Sequence, residues 1–140
     1  MSNEKIRILL VDDHAGIRQS IRTLLESQPL FSVVGDCEHG ECAIAKATEL
    51  TPDIMLVDIN MDPMNGFTVV KEVLNRVPSI KMIAFSINNQ PKYANEMFGL
   101  GAKGYVTKTS SPREIIFAIK EVFAGNDYLC EEVKKYNRPI

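Results

Sequence analysis

Residues 55–66, "MLVDINMDPMNG", carry an apolar run straight into an aspartate, Asp58, and then into Asp62, Pro63, Asn65 and Gly66. An unbroken apolar run suits a strand covered on both faces, as in a parallel sheet, rather than one with a wet face. The residues after it are turn formers, and Asn65 is placed to cap a helix. A lone aspartate at a strand end can be plain turn chemistry. Its meaning depends on what stands at the ends of the other strands.

Working outward, the same alternation repeats. "IRILLVDD", "FSVVGDC", "DIMLVD", "KMIAFS" and "KGYVTK" read as five short strands. Between and after them, "AGIRQSIRTLLESQ", "GECAIAKATEL", "GFTVVKEVLNRV", "PKYANEMFGLG" and "SPREIIFAIKEVFAG" carry apolar residues at helical spacing. Pro29 stops the first helix, Pro91 opens the fourth, and Ser111, Pro112 and Glu114 mark the start of the fifth as N-cap, N1 and N3, with Gly125 as its terminator. Five strands alternating with five helices predict an α/β domain, a (βα)5 doubly wound parallel sheet with strand order 2-1-3-4-5. The domain is expected over residues 1–129. The polar tail 130–140, "CEEVKKYNRPI", is expected to add no further fold unit and to begin a linker.

A chain of 140 residues with 45% apolar content can bury one core. Lys plus Arg number 16 against 18 Asp plus Glu, a net charge of −2, so there is no basic footprint for nucleic acid or membrane. No apolar run is long enough to span a bilayer, and "MSNEKIR" has no apolar leader core. The expected location is cytoplasmic, with Cys37, Cys42 and Cys130 as reduced thiols. Cys37, His39 and Cys42, with His14 as a fourth ligand, form an alternative zinc reading, but their spacing matches no zinc motif.

In an open parallel sheet, ligands gather at the carboxyl ends of the strands. Strand one ends in Asp12 and Asp13, strand three in Asp58 and strand four in Ser86, and Lys108 follows strand five. Three carboxylates on one rim call for a cation. Oxygen-only ligands suit Mg²⁺, and Lys108 and Ser86 suit a phosphoryl group. Asp58, central in the sheet, is the expected nucleophile, with Asp12 and Asp13 holding the metal.

These residues resemble a two-component response regulator receiver domain, which is flavodoxin-like in fold. The resemblance runs from Lys5 to about Leu129 and rests on "LLVDDH", "DINMDPMNG", "AFSINN" and "GAKGYVTKTSSPREIIFAIKEVFAGNDYL". The last segment looks most like the NarL/FixJ branch, whose receivers usually precede a LuxR-type DNA-binding domain. The resemblance implies that Asp58 accepts a phosphoryl group from a histidine kinase, a phosphotransfer protein or a small phosphodonor. It implies Mg²⁺ on Asp12, Asp13, Asp58 and the backbone carbonyl of Asn60. Ser86 and Lys108 would contact the phosphoryl group, Tyr105 would be the switch aromatic whose ring turns inward, and Asn60 and Asn88 would tune autodephosphorylation. Homodimerisation on phosphorylation, DNA contact only through an output domain outside this chain, and no membrane partner complete the expectation. The chain departs from the family pattern twice. Asp62 stands where a proline is usual, with Pro63 one residue later, and Thr109 rather than proline follows Lys108.

Other readings stay open at this level. A stand-alone receiver would act by protein contact. A Mg²⁺-dependent phosphatase with an Asp nucleophile would want "DxDxT" after strand one, where this chain has "VDDHAG". A flavin or dinucleotide module would want a glycine-rich loop there, and "DDHAGIRQ" has one glycine. The expected protein is not an enzyme beyond acting on its own aspartate.

Overall fold

In the computed structural model, which describes residues 5–136, strands and helices alternate along the chain. They run β1 (Ile6–Val11), α1 (Ala15–Glu26), β2 (Phe31–Cys37), α2 (Gly40–Leu50), β3 (Ile54–Asp58), α3 (Gly66–Arg76), β4 (Lys81–Ser86), α4 (Pro91–Gly99), β5 (Gly104–Thr107), α5 (Pro112–Phe123), β6 (Tyr128–Leu129) and α6 (Glu131–Tyr136). The sheet is parallel, in the order β2-β1-β3-β4-β5-β6. The doubly wound, flavodoxin-like architecture and the order 2-1-3-4-5 therefore hold, with one strand added. β1 and β3 are buried almost throughout, as their unbroken apolar runs require.

The helices begin where side-chain chemistry places them. Asn65 caps α3 by accepting from Thr68 N at 3.1 Å, and Ser111 caps α5 by accepting from Glu114 N at 3.1 Å. The Glu114 carboxylate does not close a reciprocal box at this end. It accepts instead from the Tyr128 hydroxyl at 2.7 Å and from Glu131 N at 2.9 Å, pinning the chain beyond α5.

The expectation that the tail adds no fold unit is corrected here. β6 pairs with β5, Gly104 opposite Tyr128 and Tyr105 opposite Leu129, and α6 follows it. Val133 is the buried residue of α6, and Cys130, just before the helix, is buried as well. Residues 137–140 of the expected tail, and 1–4 at the other end, lie outside the described residues. No helix among the described residues is long and apolar enough to cross a membrane.

Candidate functional site

The parallel register brings the ends of β1, β3, β4 and β5 to one rim. Asp12 follows β1, and its N–H donates to the Cys37 carbonyl at 3.0 Å, fixing it beside the end of β2. Arg18 on α1 reaches back to the Asp12 carbonyl at 2.7 Å and pairs with Asp36. Lys108 leaves β5 with its N–H on the Ser86 carbonyl at 2.8 Å, which aims its side chain across the rim. Gly66 opens α3 directly beneath Asp58: a Cβ there would stand 2.3 Å from the Asp58 carbonyl oxygen and 2.7 Å from Ile59 Cα.

At the centre, the Asp12 and Asp58 side chains are wholly buried, while Asp13 is one-third exposed. Lys108 Nζ lies 2.9 Å from Asp12 Oδ2 and 3.1 Å from Asp58 Oδ2. That is ion-pair distance, yet neither oxygen receives an aligned hydrogen bond. Asp58 Oδ1 accepts from Asn60 N at 3.0 Å, leaving Oδ2 as the atom turned to the site. Burial, and then the charge of Asp12, push the Asp58 carboxyl up to about 6; the Asn60 N–H and Lys108 work the other way. Two buried carboxylates with one ammonium between them are short of positive charge. Their oxygens, which share that single ammonium and have no aligned hydrogen bond, and the adjacent Asp13 are the hard donor set that a divalent cation such as Mg²⁺ takes. The residues present therefore fit the ion the strand ends suggest.

A polar chain leads away from Asp58. Ser86 Oγ donates to Asn60 Oδ1 at 3.3 Å and accepts from Asn88 N at 3.0 Å, while Asn88 Nδ2 also donates to Asn60 Oδ1 at 3.3 Å. The Tyr105 hydroxyl donates to the Asn88 carbonyl at 2.6 Å. Tyr105 is fully buried, and that burial raises its hydroxyl to about 12. Its inward ring is thus satisfied by protein atoms alone. Beside this chain opens a cavity of about 370 Å³ lined in part by Asn60, Asp62, Asn88 and Tyr93.

The two departures from the family pattern have simple outcomes. Asp62 is exposed and takes no part in the cluster. The only cis bond among the described residues is Asp62–Pro63, so Lys108–Thr109 is trans, and Lys108 still reaches both carboxylates. Thr109 has another anchor: its hydroxyl donates to Glu132 Oε1 at 2.5 Å, and Thr107 donates to the same oxygen at 2.8 Å. Glu132 Oε2 accepts from Asn89 at 2.8 Å. One carboxylate on α6 thereby ties the loops after β4 and β5 together, and these hydroxyl donors hold it below the usual carboxylate range.

Sequence reasoning missed Glu132 and underused His14. No local pattern announces Glu132, because its partners lie 23 to 43 residues away. His14 had a place only in the zinc reading, which fails. His39 Nδ1 is taken up in capping α2, accepting from Cys42 N at 3.2 Å. The metal-capable group among the described residues is Asp12, Asp13, His14 and Asp58, with no cysteine in it.

Comparison with known proteins agrees with this geometry. The family model described as response regulator receiver domain matches residues 8–120. The transcriptional regulatory protein DegU of Brevibacillus brevis is 33% identical over 145 residues, covering 100% of this chain and 61% of DegU. The nitrate/nitrite response regulator protein NarL of Escherichia coli strain K12 is 34% identical, covering 94% of this chain and 61% of NarL. The chain thus spans about three fifths of these relatives. A crystal structure of a LuxR-family two-component response regulator from Aurantimonas sp. SI85-9A1 superposes with a TM-score of 0.91 at 30% identity, covering 94% of each chain.

Proposed function

Because the chain belongs to the response regulator receiver family, in its NarL/LuxR-type branch, we propose that it is a phosphorylation switch with Asp58 as the acceptor, supplied by a histidine kinase or phosphotransfer protein. The observation that carries this reading is the buried Asp58 carboxylate, one oxygen held by Asn60 N and the other turned to the site beside Asp12, paired there with Lys108.

Asp58 Oδ2 attacks phosphorus. The new O–P bond forms as the donor's P–N or P–O bond breaks, and the leaving group keeps that electron pair. Asp12, Asp13, Asp58 and the Asn60 carbonyl would hold Mg²⁺, which neutralises charge on the transferring group when bound. Lys108 supplies the chain's own positive charge at the same place. Asn60 and Asn88 stand at the mouth and set how readily water reaches the acyl phosphate.

The polar chain accounts for switching. Phosphorylation adds about −1.5 to −2 charges and new acceptor oxygens. These compete with Asn60 Oδ1 for the Ser86 hydroxyl and with Asp12 for Lys108. A shift of Ser86 moves the Asn88 backbone and hence the hydrogen bond holding Tyr105. Since the inward ring is already satisfied, phosphorylation changes the balance of loop conformations rather than creating a new one. The output we infer is transcription through a DNA-binding domain outside these residues, with homodimerisation on phosphorylation. DegU and NarL, named as regulators, extend well beyond the matched part, which supports this over a stand-alone receiver. The chain acts on itself and turns over no free substrate, in the cytoplasm.

Labelling with acetyl phosphate and Mg²⁺ tests the assignment. Asp58→Asn should abolish it. Undiminished labelling of that variant would move the acceptor elsewhere.

A further inference from the structure

Glu132 on α6 touches both loops that carry the phosphoryl chemistry. Its Oε1 accepts from the hydroxyls of Thr107 at 2.8 Å and Thr109 at 2.5 Å, the residues on either side of Lys108. Its Oε2 accepts from Asn89 Nδ2 at 2.8 Å, in the loop after β4. The residue before Asn89 belongs to the polar chain: Asn88 donates its N–H to Ser86 Oγ at 3.0 Å and takes the Tyr105 hydroxyl on its carbonyl at 2.6 Å. The entry to α6 is tied to the same tyrosine. Cys130 N donates to the Tyr105 carbonyl at 3.0 Å, and Val133 lies buried directly after Glu132. Hydrogen bonds to a carboxylate at these distances are of the strong, charge-assisted kind. All three form together only when both loops stand as they do here, with Tyr105 inside and Lys108 spanning Asp12 and Asp58. A shift of Ser86 and the Asn88 backbone carries Asn89 with it and breaks the bond to Oε2.

We propose that Glu132 is a positioning residue that couples the docking of α6 to the occupancy of Asp58. A phosphoryl group on Asp58 and a docked α6 favour the same arrangement of the two loops, and so each stabilises the other. The inference rests on the acceptor reading above and extends it to an element that reading does not use. The route is short and continuous: Asp58, then Lys108 with its flanking threonines on one side, and Ser86, Asn88 and Asn89 on the other, both ending on one carboxylate. Coupling of this kind is reciprocal. The factor by which occupancy of Asp58 protects α6 is the factor by which α6 docking tightens the site.

The experiment uses the intact chain, with beryllofluoride and Mg²⁺ as a stable stand-in for the phosphoryl group. Amide hydrogen exchange read by mass spectrometry follows α6, whose Lys134 N donates to the Cys130 carbonyl at 3.2 Å, and calorimetry gives the beryllofluoride affinity. In the wild type, beryllofluoride should slow exchange in α6 about fivefold or more. Glu132→Ala should abolish that slowing and weaken beryllofluoride by the same factor. Glu132→Gln, which keeps one oxygen for the two hydroxyls, should restore part of both. Asn89→Ala, which cuts only the link to the loop after β4, should lose part of both, and Glu131→Ala should keep both. Unchanged or faster α6 exchange on binding of beryllofluoride overturns the proposal. So does wild-type beryllofluoride affinity in folded Glu132→Ala, a result that leaves the acceptor reading standing and removes the coupling alone. A wild type that neither binds beryllofluoride nor takes a phosphoryl group on Asp58 removes the acceptor reading and the coupling together.

Discussion

Asp58 is the residue on which folding and function pull apart. Its carboxyl rises from an ordinary value of 3.8 to about 6 because burial and Asp12 disfavour the charge. A raised folded value means that the neutral form is favoured by folding. Its stabilisation is complete below about pH 4 and is lost as the pH climbs through about 6, a span worth at most about 3 kcal/mol. In EDTA, the thermal midpoint of the wild type should therefore drop across that window more than that of Asp58→Asn. At neutral pH, Asp58→Asn should be the more stable chain, and Mg²⁺ should narrow the gap. Parallel pH profiles for the two proteins would refute this. Gly66 makes a complementary demand. Its missing Cβ leaves room for the Asp58 carbonyl, which is backbone and cannot step aside. Gly66→Ala should cost about 3 kcal/mol in denaturant unfolding and slow acetyl phosphate labelling; a wild-type midpoint would show that the loop relaxes freely.

At the scale of elements, the β-strands and the caps at Asn65 and Ser111 were readable because each follows from local chemistry: apolar runs, turn formers and side-chain acceptors. β6 and α6 were not. "EEVKKY" offers a single buried apolar residue, Val133, and with Cys130 just before the helix it makes too short a pattern to stand out. The stronger anchors, Glu114 on Tyr128 and Glu132 on Thr107, Thr109 and Asn89, are long-range and leave no local trace. They give α6 a measurable role. Glu132→Ala should lower stability by about 1–2 kcal/mol, discounted for its partial exposure, and should slow labelling by loosening the Lys108 loop. Its carboxyl is depressed on folding, so this contribution is present at neutral pH and is lost on acidification. Glu131→Ala, which removes an exposed partner of Lys134, should change stability by less than about 0.5 kcal/mol. Equal effects for the two variants would reduce α6 to a passive appendage.

Across the whole molecule, a rigid parallel sheet holds the chemistry at one rim, and the strand order explains why that much was legible. Once β1 and β3 are neighbours, Asp12 and Asp58 must meet, and Lys108 and Ser86 close the ring from β5 and β4. The direction of each side chain was not legible in this way: nothing local shows that Tyr105 is already inside or that His14 leans over the carboxylates. The most direct measurement is the fate of one phosphoryl group. Wild-type chain is treated with acetyl phosphate and Mg²⁺, weighed intact, then trapped with borohydride and mapped by peptide. One phosphoryl group per chain, on Asp58 and lost slowly, is the expected result. Phosphoryl on Asp12 or Asp13, or steady release of phosphate with none retained, would contradict the switch and favour a phosphatase.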